Sequence, residues 1–308
     1  MKRIDRIAVL GAGAVGAVYG TMLHDAYPGR VRFLANDART KRLAASGLLV
    51  NGTHYPVEAV TPQGLDRAPD LILVAVKYHH LDEAVELIAE AAGEHTAVLS
   101  VLNGIDSEEI IAKRIGWERI LYGVALAIDA QRSENRIDCS TSGTIHLGRA
   151  TSEPMDETVA AVRDTLAGAG ISVEVPRDML RMLWWKYMIN IGMNQVSAVL
   201  GAPYRELQKS EHAVALTDRA MEECIAVAQA ENIALEHADI ERWHEVLPRL
   251  SPDGKTSMLQ DVEAQRKTEV EMFAGLLTER ARRHGLQVPL NEALLHMIKV
   301  YEARYGAA

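Results

Sequence analysis

The sequence predicts a two-domain protein in which an α/β domain is followed by an all-α domain. Short β-rich runs alternate with helical patterns through the first half of the chain, and the strand signals stop at Pro176. A chain of 308 residues is also long enough to build two cores. We therefore predict one domain over residues 1–176 and a second over residues 177–308.

The first domain is expected to contain a parallel sheet that helices cover on both faces. Its predicted strands are Ile7–Leu10, Val31–Ala35, Leu71–Val76, Ala97–Val101, Ile120–Ala127, Thr144–Leu147 and Ser172–Val175, with a helix over Asp156–Ala167. The second domain is expected to consist of helices. Its predicted breaks are Gly201–Pro203, Asn232, Pro248, Ser251–Gly254 and Gly285.

Composition and charge narrow the functional class. Hydrophobic residues make up 48% of the chain and charged residues 24%, which is typical of a globular protein, and no apolar run has the length of a membrane span. A formal net charge of −9 argues against a nucleic-acid partner. The only two cysteines, Cys139 and Cys224, lack metal-ligand spacing, so we expect no metal and a reducing, cytoplasmic location.

A glycine-rich turn follows the first predicted strand, in Gly11-Ala12-Gly13-Ala14-Val15-Gly16. Gly11 permits a sharp turn, Gly13 leaves the backbone bare for a pyrophosphate, and Gly16 lets the next helix pack close to the strand. The start of that helix offers free N–H groups to phosphates. The pattern is the Rossmann dinucleotide-binding fingerprint, and its alternative is a structural turn that binds no ligand.

Three polar residues interrupt an apolar helical segment of the second domain. Lys186, Asn190 and Asn194 are spaced at i, i+4 and i+8, so each step advances only about 40° around the helix and the three share one face. Because a lysine and two amides need polar partners, we expect them to face a polar cleft. The alternative is an ordinary solvated helix face.

Further candidates lie in loops and near helix starts. Ser257 falls in the first turn of a predicted helix, where its hydroxyl either caps the helix or faces a ligand. Glu269 does not share the face of Ser257 on a straight helix, and periodicity alone predicts a solvated acid. Lys77 and Asn103 follow two predicted strands, at the sheet edge where open α/β sheets bind ligands. Their alternatives are a loop lysine in water and a tight Asn103-Gly104 turn.

Taken in order, these motifs resemble those of the ketopantoate reductases (2-dehydropantoate 2-reductases) over nearly the whole chain. The matching pieces are Gly11–Gly16, Val76-Lys77, Leu102–Ile105, Lys186 with Asn190 and Asn194, and Ser257–Asp261 leading to Thr268-Glu269. The resemblance implies NADPH-dependent reduction of ketopantoate to pantoate, a step toward pantothenate and coenzyme A. It also implies that NADPH and the 2-keto acid bind in a cleft between a Rossmann domain and a helical domain.

The resemblance also implies roles for particular residues. Lys186 and Glu269 would be catalytic, Lys186 by stabilising and protonating the alkoxide and Glu269 by accepting a hydrogen bond from the substrate hydroxyl. The expected substrate-binding residues are Asn103, Asn190, Asn194 and Ser257. The expected cofactor-binding residues are Gly11, Ala12, Gly13, Ala14, Val15, Gly16, Asn36, Arg39, Lys77 and Asn103.

Two departures from the family pattern leave alternatives open. Asn36-Asp37 stands where the family commonly has an arginine that holds the adenosine 2′-phosphate. Arg39, Lys41 and Arg42 follow and can supply positive charge, so we expect NADPH; Asp37 on a free ribose hydroxyl, with NADH, is the alternative. Secondly, Gly254-Lys255-Thr256 stands where relatives often present an asparagine to the substrate.

The second departure makes a reductase of another branched 2-keto acid the main alternative. A nucleotide-sensing Rossmann protein without catalysis is a minor one, because Lys186 and Glu269 are both present. The sequence does not fix the oligomeric state. A homodimer formed by the helical domain, around Leu200 or Trp243, is the assembly considered.

Overall fold

The computed structural model describes residues 3–133, 136–151 and 155–305. The chain divides into two units, of which the first ends at Leu180 and the second begins at Arg181. The first unit is an α/β structure and the second is helical, as the sequence predicts.

The strands and helices of the first unit alternate as expected, with additional short strands. The strands are β1 (Ile7–Leu10), β2 (Val31–Leu34), β3 (Leu48–Val50), β4 (Thr53–Tyr55), β5 (Ala59–Val60), β6 (Leu71–Val74), β7 (Ala97–Ser100), β8 (Ile120–Leu126), β9 (Asp129–Ser133), β10 (Arg136–Thr141), β11 (Thr144–Gly148) and β12 (Ser172–Glu174). The helices are α1 (Ala14–Ala26), α2 (Asp37–Ser46), α3 (Leu81–Ala91), α4 (Ser107–Ile115) and α5 (Glu157–Gly168).

The main sheet has eight strands among the described residues, in the order β12-β11-β8-β7-β6-β1-β2-β5. Its central strands pair in parallel, as predicted, but β11 runs antiparallel to β8. All four residues of β1 are buried, and they alternate between two cores. Ile7 and Val9 pack in a core with residues of α1 and α5, while Ala8 and Leu10 pack in a core with residues of α3 and α4. The expectation of helices on both faces is thus confirmed.

A second sheet, in the order β4-β3-β10-β9, is a feature that the sequence reading missed. Leu48, Val50 and Ile137 of this sheet are buried in the same core as Ala17 and Tyr19 of α1. Strand β9 (Asp129–Ser133) consists mostly of exposed polar residues, which explains why no apolar pattern revealed it. The second sheet therefore packs against α1.

The second unit contains helices and no strands among its described residues. Its helices are α6 (Met179–Leu200), α7 (Tyr204–Lys209), α8 (Glu211–Ala230), α9 (His237–Val246), α10 (Ser257–Glu263), α11 (Leu276–Arg283) and α12 (Pro289–Arg304). The predicted breaks fall between them, and Gly201, Asn232 and Gly285 adopt positive φ angles there. None of the described helices combines the length and the apolar character needed to cross a membrane.

The two residues around which a dimer face is considered differ in exposure. Trp243 of α9 is 7% exposed, so its indole belongs to the interior of the second unit and is not available to a partner subunit. Leu200, at the end of α6, is 49% exposed. The homodimer formed by the helical domain stays a prediction.

A buried carboxyl group lies beneath the turn that follows β7. Glu108 of α4 is 2% exposed, and it accepts hydrogen bonds from the Ser107 hydroxyl at 2.8 Å and the Gly123 N–H of β8 at 3.4 Å. The Ser107 hydroxyl also bonds the Ser100 hydroxyl at 2.7 Å, which joins the network to β7. Burial raises the pKa of Glu108 to about 7, although hydrogen bonds to Ser107 and Gly123 favour the ionised form.

This raised pKa makes stability depend on pH. The folded protein holds the Glu108 proton more tightly than the unfolded chain, so binding of this proton stabilises the fold. This contribution to the free energy of unfolding is complete below the ordinary glutamate pKa and is lost as pH rises toward 7. Replacing Glu108 by Gln should remove this loss. We expect the stability of Glu108→Gln relative to wild type to rise between pH 4.5 and 7.5 by up to about 3 kcal/mol. Urea denaturation across that range tests it, and a pH-independent difference would contradict the assignment.

Candidate functional site

The glycine turn between β1 and α1 has the geometry that the sequence predicts. Gly11 has a φ of +109°, a backbone conformation that residues other than glycine rarely adopt. A Cβ atom on Gly16 would lie 1.9 Å from the Gly11 carbonyl oxygen, so only glycine fits there. At Gly13 a Cβ atom would meet only the Ala75 carbonyl oxygen, at 4.0 Å, which leaves open space beside the backbone. The turn therefore offers room for a ligand where the fingerprint needs it, and it fits a dinucleotide pyrophosphate.

Lys77 and Asn103 lie beyond the carboxyl ends of β6 and β7, which are neighbours in the sheet. Lys77 is exposed and precedes a short 3₁₀ turn. Asn103 is half-buried in a bend, and the φ of +100° at Gly104 shows that the tight-turn reading of Asn103-Gly104 describes the backbone correctly. A tight turn and a ligand site are compatible here, because the bend lies at the sheet edge where α/β proteins bind ligands.

Asn36 has a structural role at the start of α2. Its side-chain oxygen accepts a hydrogen bond from the Arg39 N–H at 2.9 Å and thereby caps the helix. Its amide nitrogen donates to the Glu83 carboxylate. Asp37 is the exposed first residue of α2, and Arg39 is half-buried with its guanidinium 3.1 Å from the His80 ring Nε2. Both ends of the Asn36 amide are thus engaged within the protein.

The polar residues of α6 are buried. Asn190 is 4% exposed and Asn194 7%, while Lys186 is half-buried, so the alternative of a solvated helix face was wrong. The Nδ2 of Asn190 has no hydrogen-bond partner among the described residues. A buried donor without a partner carries a desolvation cost, which a ligand that accepts the hydrogen bond would remove.

Lys186 lies one turn before Asn190 on the same face of α6. Burial lowers the pKa of its ammonium to about 8, because removal from water disfavours the charged form. A lysine with such a pKa both carries positive charge at neutral pH and releases its proton readily. The group is therefore suited to act as a general acid.

Two contacts between side chains fix the start of α10 to α6. Asn194 Nδ2 approaches the Ser257 hydroxyl at 3.5 Å, and the Thr256 hydroxyl donates to the Ser197 hydroxyl at 3.1 Å. The same Thr256 oxygen accepts from the Leu259 N–H at 3.2 Å, so Thr256, and not Ser257, caps the helix. Ser257 is left exposed next to Asn194.

Glu269 does not belong to the helix of Ser257. Helix α10 ends at Glu263, and Gln265 has a φ of +51°, so the chain turns away before Glu269. Thr268 is bound to Glu302 of α12 through its N–H at 2.8 Å and its hydroxyl at 2.7 Å. Glu269 itself is 8% exposed, which contradicts the reading of a solvated acid.

A buried tyrosine connects the Lys186 helix to the Glu269 segment. Tyr187, which is fully buried on α6, donates to the carbonyl oxygens of Phe273 at 2.6 Å and Met272 at 3.1 Å. These carbonyls belong to a π-helical turn, Glu271–Gly275, that begins two residues after Glu269. Such turns are often found at functional sites. Tyr187 and Thr256 are positioning residues that sequence reasoning missed, because their partners lie far along the chain.

Comparisons with known proteins agree on one family. The family model described as "Ketopantoate reductase PanE/ApbA" matches residues 7–152, and that described as "Ketopantoate reductase PanE/ApbA C terminal" matches residues 178–302. Among curated proteins, the 2-dehydropantoate 2-reductase of Salmonella typhimurium strain LT2 is 29% identical over 304 residues, which are 97% of this chain and 96% of the relative.

Solved structures share the fold over the full length. The 2-dehydropantoate 2-reductase of Geobacter metallireducens GS-15 is 28% identical with a TM-score of 0.84, and the match covers 96% of this chain and 99% of that one. A D-mandelate dehydrogenase solved with NADH and anilino(oxo)acetate is 25% identical with a TM-score of 0.86, over 97% and 99% of the two chains.

The glycine turn yields a stability prediction. Gly16→Ala places a methyl group against the Gly11 carbonyl and should destabilise the first unit by about 1–3 kcal/mol or more, because the backbone must move. Gly13→Ala introduces the same methyl group into open space and serves as the control. Thermal denaturation without added nucleotide compares them, and equal losses in the two variants would contradict this description of the turn.

Proposed function

Because the chain belongs to the ketopantoate reductase family, whose members are oxidoreductases, we propose that it reduces 2-dehydropantoate to pantoate with NADPH. The observation that carries the proposal is the buried polar face of α6, where Lys186, with its lowered pKa, precedes the unpartnered donor of Asn190. This face presents a cation and a hydrogen-bond donor in apolar surroundings, as the reduction of a carbonyl requires.

In the proposed reaction, Lys186 supplies the proton. When bound, the nicotinamide dinucleotide provides the hydride for C2 of the keto acid. Negative charge then develops on the carbonyl oxygen, and the Lys186 ammonium stabilises that charge and transfers its proton to the oxygen. Partial exclusion of water from Lys186 strengthens this interaction and keeps the pKa close to working pH.

The other predicted residues bind and orient. Glu269 accepts a hydrogen bond from the substrate hydroxyl, while Asn194 and Ser257, which lie side by side, bind substrate oxygens. Asn190 and Asn103 donate to the substrate and the nicotinamide. The backbone at Gly11–Gly16 receives the pyrophosphate, with Lys77 at the adjacent sheet edge.

Other 2-keto acids are compared with ketopantoate as substrates for two reasons. Gly254-Lys255-Thr256 departs from the family pattern, and one structural neighbour is a D-mandelate dehydrogenase. Oxidation of NADPH should be followed with ketopantoate, ketoisovalerate, pyruvate and phenylglyoxylate. We expect the highest kcat/KM for ketopantoate. A higher value for another acid would assign the protein to a paralogous 2-keto acid reductase, and no turnover with any of them would overturn the proposal.

The role of Lys186 is tested by its removal. Lys186→Ala should lower kcat by on the order of a hundredfold or more, the range expected for the loss of a positioned acid. The dissociation constant for NADPH should change little. The matched control is Lys209→Ala, an exposed lysine on α7 of the same unit. Turnover of Lys186→Ala within a few-fold of wild type would exclude the assigned role.

The lowered pKa of Lys186 gives a pH profile. The protonated form is the active one, so kcat/KM should fall by about tenfold per pH unit as pH rises above about 8. NADPH binding, measured by fluorescence over the same range, should not follow this profile. A kcat/KM that stays level to pH 10 would show that the Lys186 proton is not required.

The role of the glycine turn in NADPH binding is tested by placing a side chain in the open space at Gly13. Gly13→Val should abolish NADPH binding while both units stay folded, because the branched side chain occupies the space assigned to the pyrophosphate. Gly64→Val, at an exposed turn of the same unit, is the matched control. Fluorescence titration with NADPH measures the affinities, and undiminished binding to Gly13→Val would mean that the turn is structural only.

A further inference from the structure

Arg132 contacts the glycine turn of the first unit and lies within electrostatic range of Arg39 and Arg42. Arg39 and Arg42 are three residues apart on α2 and share a face of that helix, whereas Arg132 lies on β9 of the second sheet. The Nη1 of Arg132 donates to the carbonyl oxygen of Ala12 at 2.6 Å, inside the Gly11–Gly16 turn. Residues that are distant in sequence thus bring a guanidinium to the edge of the proposed nucleotide site.

The three guanidiniums are close enough to affect one another. Partial burial lowers the pKa of Arg132, and so do the positive charges of Arg42 and Arg39. An anionic ligand would interact favourably with all three positive charges. Guanidinium groups are well suited to a phosphate, to which they donate two parallel hydrogen bonds.

The surroundings of Arg39 orient it for this role. Its backbone N–H is fixed by the Asn36 cap, and its guanidinium contacts Nε2 of His80 at 3.1 Å. Burial, together with the positive charges of Arg39 and His79, lowers the pKa of His80, which favours a neutral ring that accepts this hydrogen bond. Arg39 is therefore held in place without neutralisation of its charge by His80.

The end of β2 itself is a poor place for an anion. Asn36 occupies that position, but its amide caps α2 and donates to the Glu83 carboxylate. The negative charge of Glu83 opposes a phosphate at Asn36, whereas the arginines of α2 and β9 attract one. In dinucleotide-binding folds the adenosine ribose lies near the end of the second strand, and an arginine close by accommodates the 2′-phosphate.

We propose that Arg39, Arg42 and Arg132 form the subsite for the 2′-phosphate of NADPH, with Arg132 supplied by the second sheet. The proposal rests on the proposed function only in the choice of NADPH as cofactor. It gives β9 a part in cofactor selection, since Arg132, which bonds the Ala12 carbonyl, is one of the residues assigned to the phosphate. Discrimination between NADPH and NADH then depends on a residue far in sequence from the position that the family commonly uses.

Direct binding tests this subsite without reference to turnover. Adenosine 2′,5′-bisphosphate and adenosine 5′-monophosphate are titrated by calorimetry into wild type, Arg132→Ala, Arg42→Ala and the control Arg136→Ala. Arg136 is an exposed residue of β10 whose guanidinium pairs with Asp138 at 2.8 Å. We expect Arg132→Ala and Arg42→Ala each to lose about tenfold or more in affinity for the bisphosphate, with the monophosphate unchanged. Arg136→Ala should match wild type.

The same experiment separates the two proposals. If wild type binds the bisphosphate no better than the monophosphate, the choice of NADPH fails and the subsite fails with it. If wild type discriminates but Arg132→Ala and Arg42→Ala retain the discrimination, the subsite is wrong and the proposed function stands. Equal losses for both nucleotides in Arg132→Ala would mean that Arg132 only shapes the glycine turn through Ala12, which also overturns the subsite.

Discussion

The need to satisfy buried polar groups on α6 is the constraint on which the second unit depends. An apolar helix that carries amides and hydroxyls can be buried only where neighbouring segments offer partners. Ser197 receives the Thr256 hydroxyl and Asn194 meets Ser257, so the beginning of α10 is fixed to α6. The Tyr187 hydroxyl finds two carbonyls in the turn after Glu269. The bonds that make α6 stable in the interior are thus also the bonds that determine where the site residues lie.

Asn190 differs from the other two residues of the polar stripe Lys186, Asn190 and Asn194. Its neighbours along the stripe have partners or a lowered pKa, yet its own Nδ2 has no partner among the described residues. A protein that tolerates such a cost usually gains from it in binding or catalysis. Trp185 Nε1 and Gln195 Oε1 of α6 also lack partners among the described residues, but the unpartnered Nδ2 of Asn190 lies on the helix face to which we assign the chemistry.

The architecture of the first unit was accessible from the sequence because its information is local. Buried parallel strands such as Leu71–Val74 are continuous apolar runs, and the conformations of Gly11 and Gly16 follow from steric rules that involve a few neighbouring residues. The second sheet was not accessible for the opposite reason. Strand β4 (Thr53–Tyr55) is short and largely exposed, so it carries no apolar pattern, and pairing within the sheet joins β3 to the distant β10.

The site of the second unit could be predicted only in part. Periodicity correctly placed Lys186, Asn190 and Asn194 on one face of α6. It could not decide whether that face is exposed to solvent, because burial of the face depends on α10 and on the segment before α11. For Glu269 the periodicity argument failed because it assumed a continuous helix, whereas the chain leaves the helix at Gln265. The capping role of Asn36 was likewise hidden, because its position after β2 suits both a cap and a cofactor contact.

The π-helical turn Glu271–Gly275 has a consequence for how sequences of this kind can change. In this turn the Gly275 N–H bonds the Val270 carbonyl, five residues back, so the turn contains one residue more than an α-helix needs. Deleting one residue here would restore regular helical geometry and leave α11 intact. It would also rotate everything before the turn by about 100° relative to α11, and Glu269 with it. If Glu269 acts as we propose, the site requires this extra residue, and a relative that lacks it would carry its acid in a different position.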